Sequence, residues 1–307
     1  MRQFLCQDNG FKECEAWCPH CWVNIENPDM NDINFLLGDL HMPTAFIESI
    51  TDIDERPHMD REGDWRLTIL RIPVRFSPTD EMPYGTVPIS IITNNEIIVT
   101  VCSRRTELIP DFISHTNARN ILIDTEPDFV LRILYSSAFW YLKYLREISD
   151  DVLHDDKRLE RSIRNEDLKN MMKLQRTLVF FNTSLQGNNT VVGRLEHVYG
   201  NGFDADLLED VEIELKQADN TANIYSNILS SSMDSISSII SNNVNAIMKK
   251  MTAVSIVLMV PTLIASFYGM NVEITYGNHP YVFWLILGGS LLLSSILYVV
   301  LKKIRWF

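Results

Sequence analysis

Basic residues are scarce over most of this 307-residue sequence, and acidic residues all but vanish from its end. Residues 1–248 carry 39 acids against 22 bases, a formal charge of −17, and Glu273 is the one acid beyond Lys249. That balance excludes a nucleic-acid partner for the bulk of the chain, because phosphate binding needs a basic face. It leaves a solvated acidic domain or one that attracts divalent cations. The first ten residues lack an apolar run and hold one basic residue, Arg2. They form neither a secretory signal nor an Arg- and Ser-rich transit peptide, so the N-terminal region is expected to stay where it is made.

Cysteines are few and odd in number: Cys6, Cys14, Cys18, Cys21 and Cys102. Their crowding near the start is unlike a disulfide framework. Cys18-Pro19-His20-Cys21 raises two sharper readings, a redox pair or a zinc site completed by Cys14 or His20. A redox pair wants a helix N-terminus after a strand to depress the thiol pKa, yet the residues from Cys21 to Ile25 alternate as a strand does. A structural zinc site wants a second ligand pair, and none is apparent. Strand cysteines are the expectation.

Proline is absent between Pro127 and Pro261 but frequent before. The early part reads as mixed α and β. Strand-like runs occupy residues 22–25, 65–72, 87–92, 96–102 and 121–123, with proline and glycine at their ends. Residues 31–40 and 44–49 show helical periodicity. From Pro127, placed to begin a helix behind Asp124 and Thr125 as caps, the pattern is helical. It has a polar break near Asn165 and Glu166 and a turn at Gly187-Asn188-Asn189. After Gly200-Asn201-Gly202 one helix can run from about Asp206 to Tyr268, roughly 95 Å at ~1.5 Å per residue.

The second half of that helix enters an apolar stretch, residues 251–270, and another follows at 281–301. Each matches the ~20 residues that cross a bilayer. Lys249 and Lys250 precede the first, while Lys302, Lys303 and Arg305 follow the second. Basic flanks face the cytoplasm, so both termini are expected inside, with only a short loop outside. The reading divides the chain into a cytoplasmic α/β domain (1–125), a helical hairpin (126–205), a stalk helix (206–250), a first transmembrane helix (251–270), an outer loop (271–280), a second transmembrane helix (281–301) and a basic tail (302–307).

Stepping along the long helix by alternating intervals of four and three meets Asn227, Ser231, Asp234, Ser238, Ser241, Asn245, Met248, Thr252, Ser255, Met259, Thr262 and Ser266. This heptad seam is polar where a coiled coil is apolar. Ile228, Ile236, Ile239, Ile240, Val244, Ile247 and Val254 flank it. Up to Lys250 the stripe reads equally well as the wet side of an amphipathic helix. Beyond it the same face continues where there is no bulk water. Several copies of the helix around an axis, stripes inward, account for both halves; a homo-oligomer lining a cation path is therefore expected. Met248 and Met251 near that axis suit a dewetting constriction, and ordinary interhelix packing is the alternative role for both.

At the outer end of the first span stands Tyr268-Gly269-Met270-Asn271. In that place the Gly-Met-Asn tripeptide resembles the signature of the CorA family of magnesium and divalent-cation channels. Trp22-Val23-Asn24-Ile25-Glu26-Asn27-Pro28 is similar to the family's first strand, and Asp54-Glu55-Arg56-Pro57 to its following turn. The resemblance implies a homopentameric funnel of α/β domains, stalk helices and a two-helix membrane hairpin, in a bacterial or archaeal cell (inner) membrane. It implies a selectivity ring of Gly269, Met270 and Asn271. It places Asp234, Asn245, Met248 and Met251 at pore and gate positions, which Thr252, Ser255, Met259 and Thr262 continue. Asp210 would bind regulatory Mg2+ with an acid from a neighbouring subunit. The implied partners are further copies of the chain, divalent cations (Mg2+, with Co2+ and Ni2+) and the lipid bilayer; no organic cofactor is implied.

The loop after the signature departs from the family's Met-Pro-Glu-Leu pattern. It retains one acid, Glu273, and one histidine, His279. A zinc transporter of the same fold is thus the nearest alternative. A membrane-anchored scaffold would need an apolar stalk seam. An enzyme would need a nucleophile–base pair or phosphate loop, and neither is evident; His154-Asp155-Asp156 and Asp204-Ala205-Asp206 read as solvated charge.

Overall fold

The computed structural model describes residues 2–7, 10–77, 80, 82–94, 96–123, 125–159, 165–200, 202–270, 280–304 and 306. It divides into two compact units, Met1–Ser231 and Ser232–Phe307.

The strands of the first unit are β1 (Arg2–Gln7), β2 (Phe11–Cys14), β3 (Trp22–Glu26), β4 (His58–Glu62), β5 (Trp65–Arg75), β6 (Tyr84–Thr93) and β7 (Ile98–Cys102). They form one sheet in the order β2-β1-β3-β7-β6-β5-β4. The β3–β7 pair is parallel, with Trp22 opposite Ile98, and the other neighbours are antiparallel. The helices are α1 (Met30–Asn34), which continues into a π turn at Phe35–Asp39, α2 (Ala45–Thr51), α3 (Leu108–Arg119), α4 (Glu126–Leu159) and α5 (Asn165–Tyr199). A further helix, α6 (Ala205–Tyr268), begins in this unit.

Every residue of β3 and β6 is buried, as strands covered on both faces must be. Since successive side chains point to opposite faces, β3 feeds two cores. Val23 and Ile25 join Leu36, Phe46, Ile50, Ile69, Val99 and Val101 beneath α1 and α2. Trp22 faces the other way, edge-on to Phe129 of α4 at 5.1 Å and to Phe112 of α3 at 5.8 Å. Its indole N–H donates to Thr100 Oγ1 at 2.8 Å, and that hydroxyl donates to buried Asn24 at 2.9 Å. The polar atoms of the Trp22-Val23-Asn24 strand are thereby satisfied inside the layer.

Several sequence expectations need correction. Residues 121–123 are not a strand. Asn120, in the left-handed conformation (φ 50°), caps α3, and Ile121 N–H returns to Thr116 O at 3.1 Å. The apolar run instead buries Ile123 behind the cap. Strands β1, β2 and β4 exceed the expectation; β2 and β4 are edge strands, which can be polar, and β4 is His-Met-Asp-Arg-Glu and pairs along one side only.

No turn occurs at Gly187-Asn188-Asn189, which lies inside α5. A Cβ on Gly187 would stand 2.7 Å from Pro57 Cγ, so glycine permits close approach rather than a bend. Asn188 then reaches the sheet. In the β5–β6 register Arg71 faces Pro88, which has no N–H to offer. Asn188 Nδ2 donates to the Arg71 carbonyl at 2.8 Å, and Arg71 N–H donates to Asn188 Oδ1 at 2.9 Å. The Tyr141 hydroxyl adds a second bond to that carbonyl at 2.9 Å. Strands β5 and β6 therefore run through Pro73 and Pro88 instead of ending there.

The cysteines also differ from expectation. Cys6 and Cys14 form a disulfide across the β1–β2 hairpin. The hairpin register, which sequence spacing does not reveal, brings them together. Cys18 and Cys21 lie outside strands, while Cys102 ends β7.

Helices α4 and α5 are anchored at one end by Glu126. It accepts from Arg66 Nη1 of β5 at 2.5 Å and from the Tyr199 hydroxyl at 2.5 Å. Burial, and then the Glu126 charge, push the Tyr199 phenol far above its ordinary pKa. The expected cap at Thr125 is present, its hydroxyl accepting from Asp128 N–H at 3.3 Å. The second unit contains the rest of α6 and α7 (Pro280–Lys303).

Candidate cation pathway

Helix α6 is a single helix of 64 residues, and it and the helix through Tyr281–Lys303 are long and apolar enough to cross a membrane. All twelve seam positions from Asn227 to Ser266 are exposed, including Asp234, Asn245, Ser255 and the two methionines, Met248 (60%) and Met259 (61%); Met251 (67%), just off the seam, is exposed as well. Every residue from Ser237 to Thr252 is exposed. The apolar flanks share that exposure: Ile239 50%, Val244 50%, Ile247 59% and Val254 47%. Ile236 differs and is buried.

Three hydroxyls of the seam are oriented by their own helix. Ser238 donates to Asp234 O at 3.0 Å, Thr252 to Met248 O at 2.8 Å and Thr262 to Leu258 O at 2.9 Å. Such back-bonding is what a lone hydroxyl in a helix does. It has a consequence for recognition, since a hydroxyl whose proton is spent on its own helix presents only lone pairs outward. The exposed side of the seam is therefore an acceptor surface at these positions.

Helix α7 packs on another side of α6. Ala253 is buried, as are Ser290 and Ser294 on α7. Pro261 lies inside α6 and cannot donate to the carbonyl four residues back, which belongs to Val257. The Ser294 hydroxyl donates to that same carbonyl at 3.3 Å. A backbone acceptor that would be orphaned in hydrocarbon is thus met by the neighbouring helix. At about 100° per residue, Ala253 and Val257 fall well over 90° from the seam. Contact with α7 consequently leaves the polar face open.

At the outer end, Gly269 N–H closes the last turn on Ala265 O at 2.9 Å, and Met270 N–H reaches Phe267 O at 3.4 Å. Gly269 and Met270 are exposed. Asn271, Glu273 and the rest of the loop through residue 279 lie outside the described residues, as does Arg305.

Asp210 lies on an exposed part of α6 with Asp206 one turn before it. Among the described residues no group of three or more His, Cys, Asp or Glu side chains could hold a metal ion within one chain. Asp219, farther along the same helix, carried no sequence signal. Its carboxyl is pushed above the ordinary range by burial, and its Oδ1 is buried without a hydrogen-bond partner.

A separate cavity of about 350 Å³ opens beside the sheet, with Trp22, Arg66, Glu126, Tyr199, His20 and Cys21 among its lining. The Arg66–Glu126–Tyr199 cluster there is already mutually satisfied, which marks it as a structural anchor.

Known proteins resemble the whole arrangement. The profile of the CorA-like Mg2+ transporter protein family matches residues 19–303. The cobalt/magnesium transport protein CorA of Methanocaldococcus jannaschii is 24% identical over 292 residues, covering 93% of this chain and 90% of its own. The complete structure of the CorA magnesium transporter from that organism superposes with a TM-score of 0.84 at 21% identity, over 100% of this chain and 99% of the other. The cytoplasmic domain of ZntB from Vibrio parahaemolyticus superposes with a TM-score of 0.62 at 14% identity, over 79% of this chain and 98% of that domain. With the profile spanning nearly its full length, the chain belongs to the CorA-like Mg2+ transporter family.

Proposed function

We propose that five copies of the chain assemble around α6 into a channel that conducts hydrated divalent cations, Mg2+ first and Co2+ or Ni2+ with it, across a bacterial or archaeal cell membrane. The observation that carries this reading is the exposed, acceptor-faced seam of α6 between two exposed apolar rows. Apolar rows on a helix outside the membrane need covering, and neighbouring α6 helices cover them while the seams turn inward.

The chemistry of the ion fits that lining. Mg2+ binds oxygen at about 2.0–2.1 Å and gives up water reluctantly. Bound waters point their hydrogens outward, so a path for the hydrated ion must offer acceptors. Asn245, Thr252, Ser255 and Thr262 do so without charge, and a ring of Asn271 amide oxygens with carbonyls near Gly269 selects at the outer mouth. Neutral dipoles hold the ion loosely enough to release it. Met248 and Met251 form an apolar constriction that dewets when the helices close, and Asp234 offers carboxylates on the cytoplasmic side. Glu273 is the acid that concentrates cations at the outer loop.

A zinc-conducting channel is the second reading, favoured by His279 in a loop with a single acid. Uptake into proteoliposomes under competition by Mg2+, Co2+, Ni2+ and Zn2+ separates the two. Inhibition of Mg2+ uptake only by Zn2+, with Zn2+ itself carried faster, would favour zinc.

Orientation has its own test. The basic residues Lys249, Lys250, Lys302 and Lys303 place both termini in the cytoplasm. A cysteine at Asn278 is expected to react with an impermeant maleimide in intact cells, and one at Ser226 is not. The reverse pattern would end the proposed pore geometry.

The acidic first unit supplies regulation. Cytoplasmic Mg2+ bridging Asp210 to an acid of a neighbouring copy favours the closed state by binding it more tightly. Asp210→Asn is expected to weaken Mg2+ protection of residues 1–231 from protease and to relieve inhibition of flux by cytoplasmic Mg2+. Unchanged protection and unchanged inhibition would make Asp210 ordinary surface charge.

A further inference from the structure

The N-terminal hairpin gathers four cysteines that the cation pathway does not use. In the β1–β2 register Cys6 lies opposite Lys12 and Cys14 opposite Phe4. Residues two apart share a face, so Cys6 and Cys14 are diagonal neighbours, with Cα atoms 6.3 Å apart and sulfurs joined. Cys18 brings a third sulfur to 3.0 Å from that of Cys6. Cys21 brings the fourth. Its N–H bonds to Cys18 O at 3.2 Å, closing a tight turn through Pro19 and His20, and its side chain belongs to the buried core against which Cys6 and Cys18 pack. His20 holds the left-handed conformation that this turn needs (φ 62°). Its own N–H donates to Glu96 O at 2.7 Å, fixing the turn to the loop before β7.

A Cys-x-x-Cys turn such as Cys18 to Cys21 holds a structural zinc only with a second ligand pair. The fold supplies that pair from upstream. We propose that in the reduced chain Cys6, Cys14, Cys18 and Cys21 hold one Zn2+ as a structural tetrathiolate, a site independent of the transported cation.

Two pairs, one from a hairpin and one from a tight Cys-x-x-Cys turn, are the donor set of a closed tetrahedral zinc site. Zn–S bonds of about 2.3 Å give sulfur–sulfur edges of roughly 3.8 Å, so the sulfurs of Cys14 and Cys18, already closer than this to that of Cys6, need only to open around the ion. Thiolates are soft ligands that select Zn2+ over Mg2+, which prefers oxygen. Cys21 is buried and the other three are half-buried, which shields the ion while leaving an entry path.

The site depends on redox state. A cellular dithiol donates two electrons to the Cys6–Cys14 bond; two protons complete the two thiols, and the reductant leaves as its own disulfide. Zn2+ then displaces four protons from four thiols. With Cys6 and Cys14 oxidised, no group of three or more ligands among the described residues can hold a metal. The family profile begins at residue 19, so the whole β1–β2 hairpin and Cys18 lie upstream of the matched region. Its zinc would staple the β1–β2 edge of the sheet to the start of β3.

The full-length protein in detergent, stripped of metal, tests this with zinc or cobalt alone under a phosphine reductant. The reduced chain is expected to retain one Zn2+ through desalting. Co2+ in its place should give intense sulfur-to-cobalt charge-transfer absorption, which oxygen ligands in the transport path cannot produce. Cys18→Ser should weaken and shift that absorption and lower the thermal midpoint. Because that variant risks misfolding, the wild-type protein with Cys6 and Cys14 oxidised serves as a second comparison, and it should show no such absorption. Absence of the absorption in the reduced wild type, its persistence in the oxidised form, or a Cys18→Ser spectrum identical to wild type would overturn the site.

Discussion

Substituting glycine for Asn271 is expected to leave assembly intact and to reduce Mg2+ uptake into proteoliposomes to background. Asn271 follows the Gly269-Met270 end of α6, where the chain leaves the helix. In one role it would simply cap that end, and glycine caps a helix C-terminus at least as well as asparagine. In the proposed role its amide oxygen accepts from the water shell of the ion, and glycine has none. The two roles therefore give opposite results for Asn271→Gly.

Asn271→Asp sharpens the contrast, because it keeps the shape and adds charge. Through one layer of water a carboxylate sits about 4 Å from the ion. At an effective dielectric of 20 a unit charge there adds about 4 kcal/mol of attraction per unit of ion charge. Release would slow by roughly a thousandfold or more. Asn271→Asp should assemble, bind divalent cations more tightly and conduct them poorly. Normal Mg2+ flux through assembled Asn271→Gly would leave Asn271 as a cap and move selection elsewhere.

The sequence made the membrane hairpin and the long helix legible because both are long, periodic and segregated in charge. The expected limits, Asp206 to Tyr268 and residues 281–301, fall within a few residues of α6 and α7. Central strands were legible for the same reason, since β3, β5, β6 and β7 are runs of Val, Ile, Leu and Trp. Edge strands were not. β4 buries too little to carry an apolar pattern and β2 is short and mixed, as is β1 beside it.

Glycine and proline misled where tertiary contacts outweighed local preference. Gly187 is in α5 because Pro57 lies against it, and Pro88 is in a central strand because Asn188 replaces the bonds it cannot make. Neither partner can be read from spacing, as each lies about a hundred or more residues away in sequence. Cys6 and Cys14 escaped for a related reason, because only the hairpin register makes them neighbours.

The seam itself was legible, but the direction of its hydroxyls was not. A lone Ser or Thr in a membrane helix commonly back-bonds its own carbonyls and serves no further role. Thr252 and Thr262 do back-bond, and the same bonds fix their lone pairs outward. A feature that counts against a pore by statistics thus supports one by stereochemistry.

Placing a carboxylate in the apolar row, Val244→Asp, is expected to dissociate the oligomer while leaving residues 1–231 folded. Val244 is half-exposed and lies one turn before Met248, ahead of Lys249 and thus outside the apolar span. In an isolated chain the substitution touches nothing and should stabilise the exposed helix against aggregation. Between two packed copies of α6 it buries an unpaired charge, at a cost of about 3 kcal/mol or more for each interface. Repeated around a ring, that cost exceeds the margin on which assemblies usually rest. A lysine on the seam would test the lining instead, but a charge in the flanking row tests the packing that the lining requires. Light scattering of the detergent complex should report a shift from the wild-type mass to one chain, and Mg2+ uptake should vanish with it. The thermal unfolding of the first unit should stay within a few degrees of wild type, which separates lost assembly from lost fold. A Val244→Asp protein of unchanged mass and unchanged flux would show that this row faces solvent in the working channel, and that the seams of α6 are not held inward by their apolar flanks.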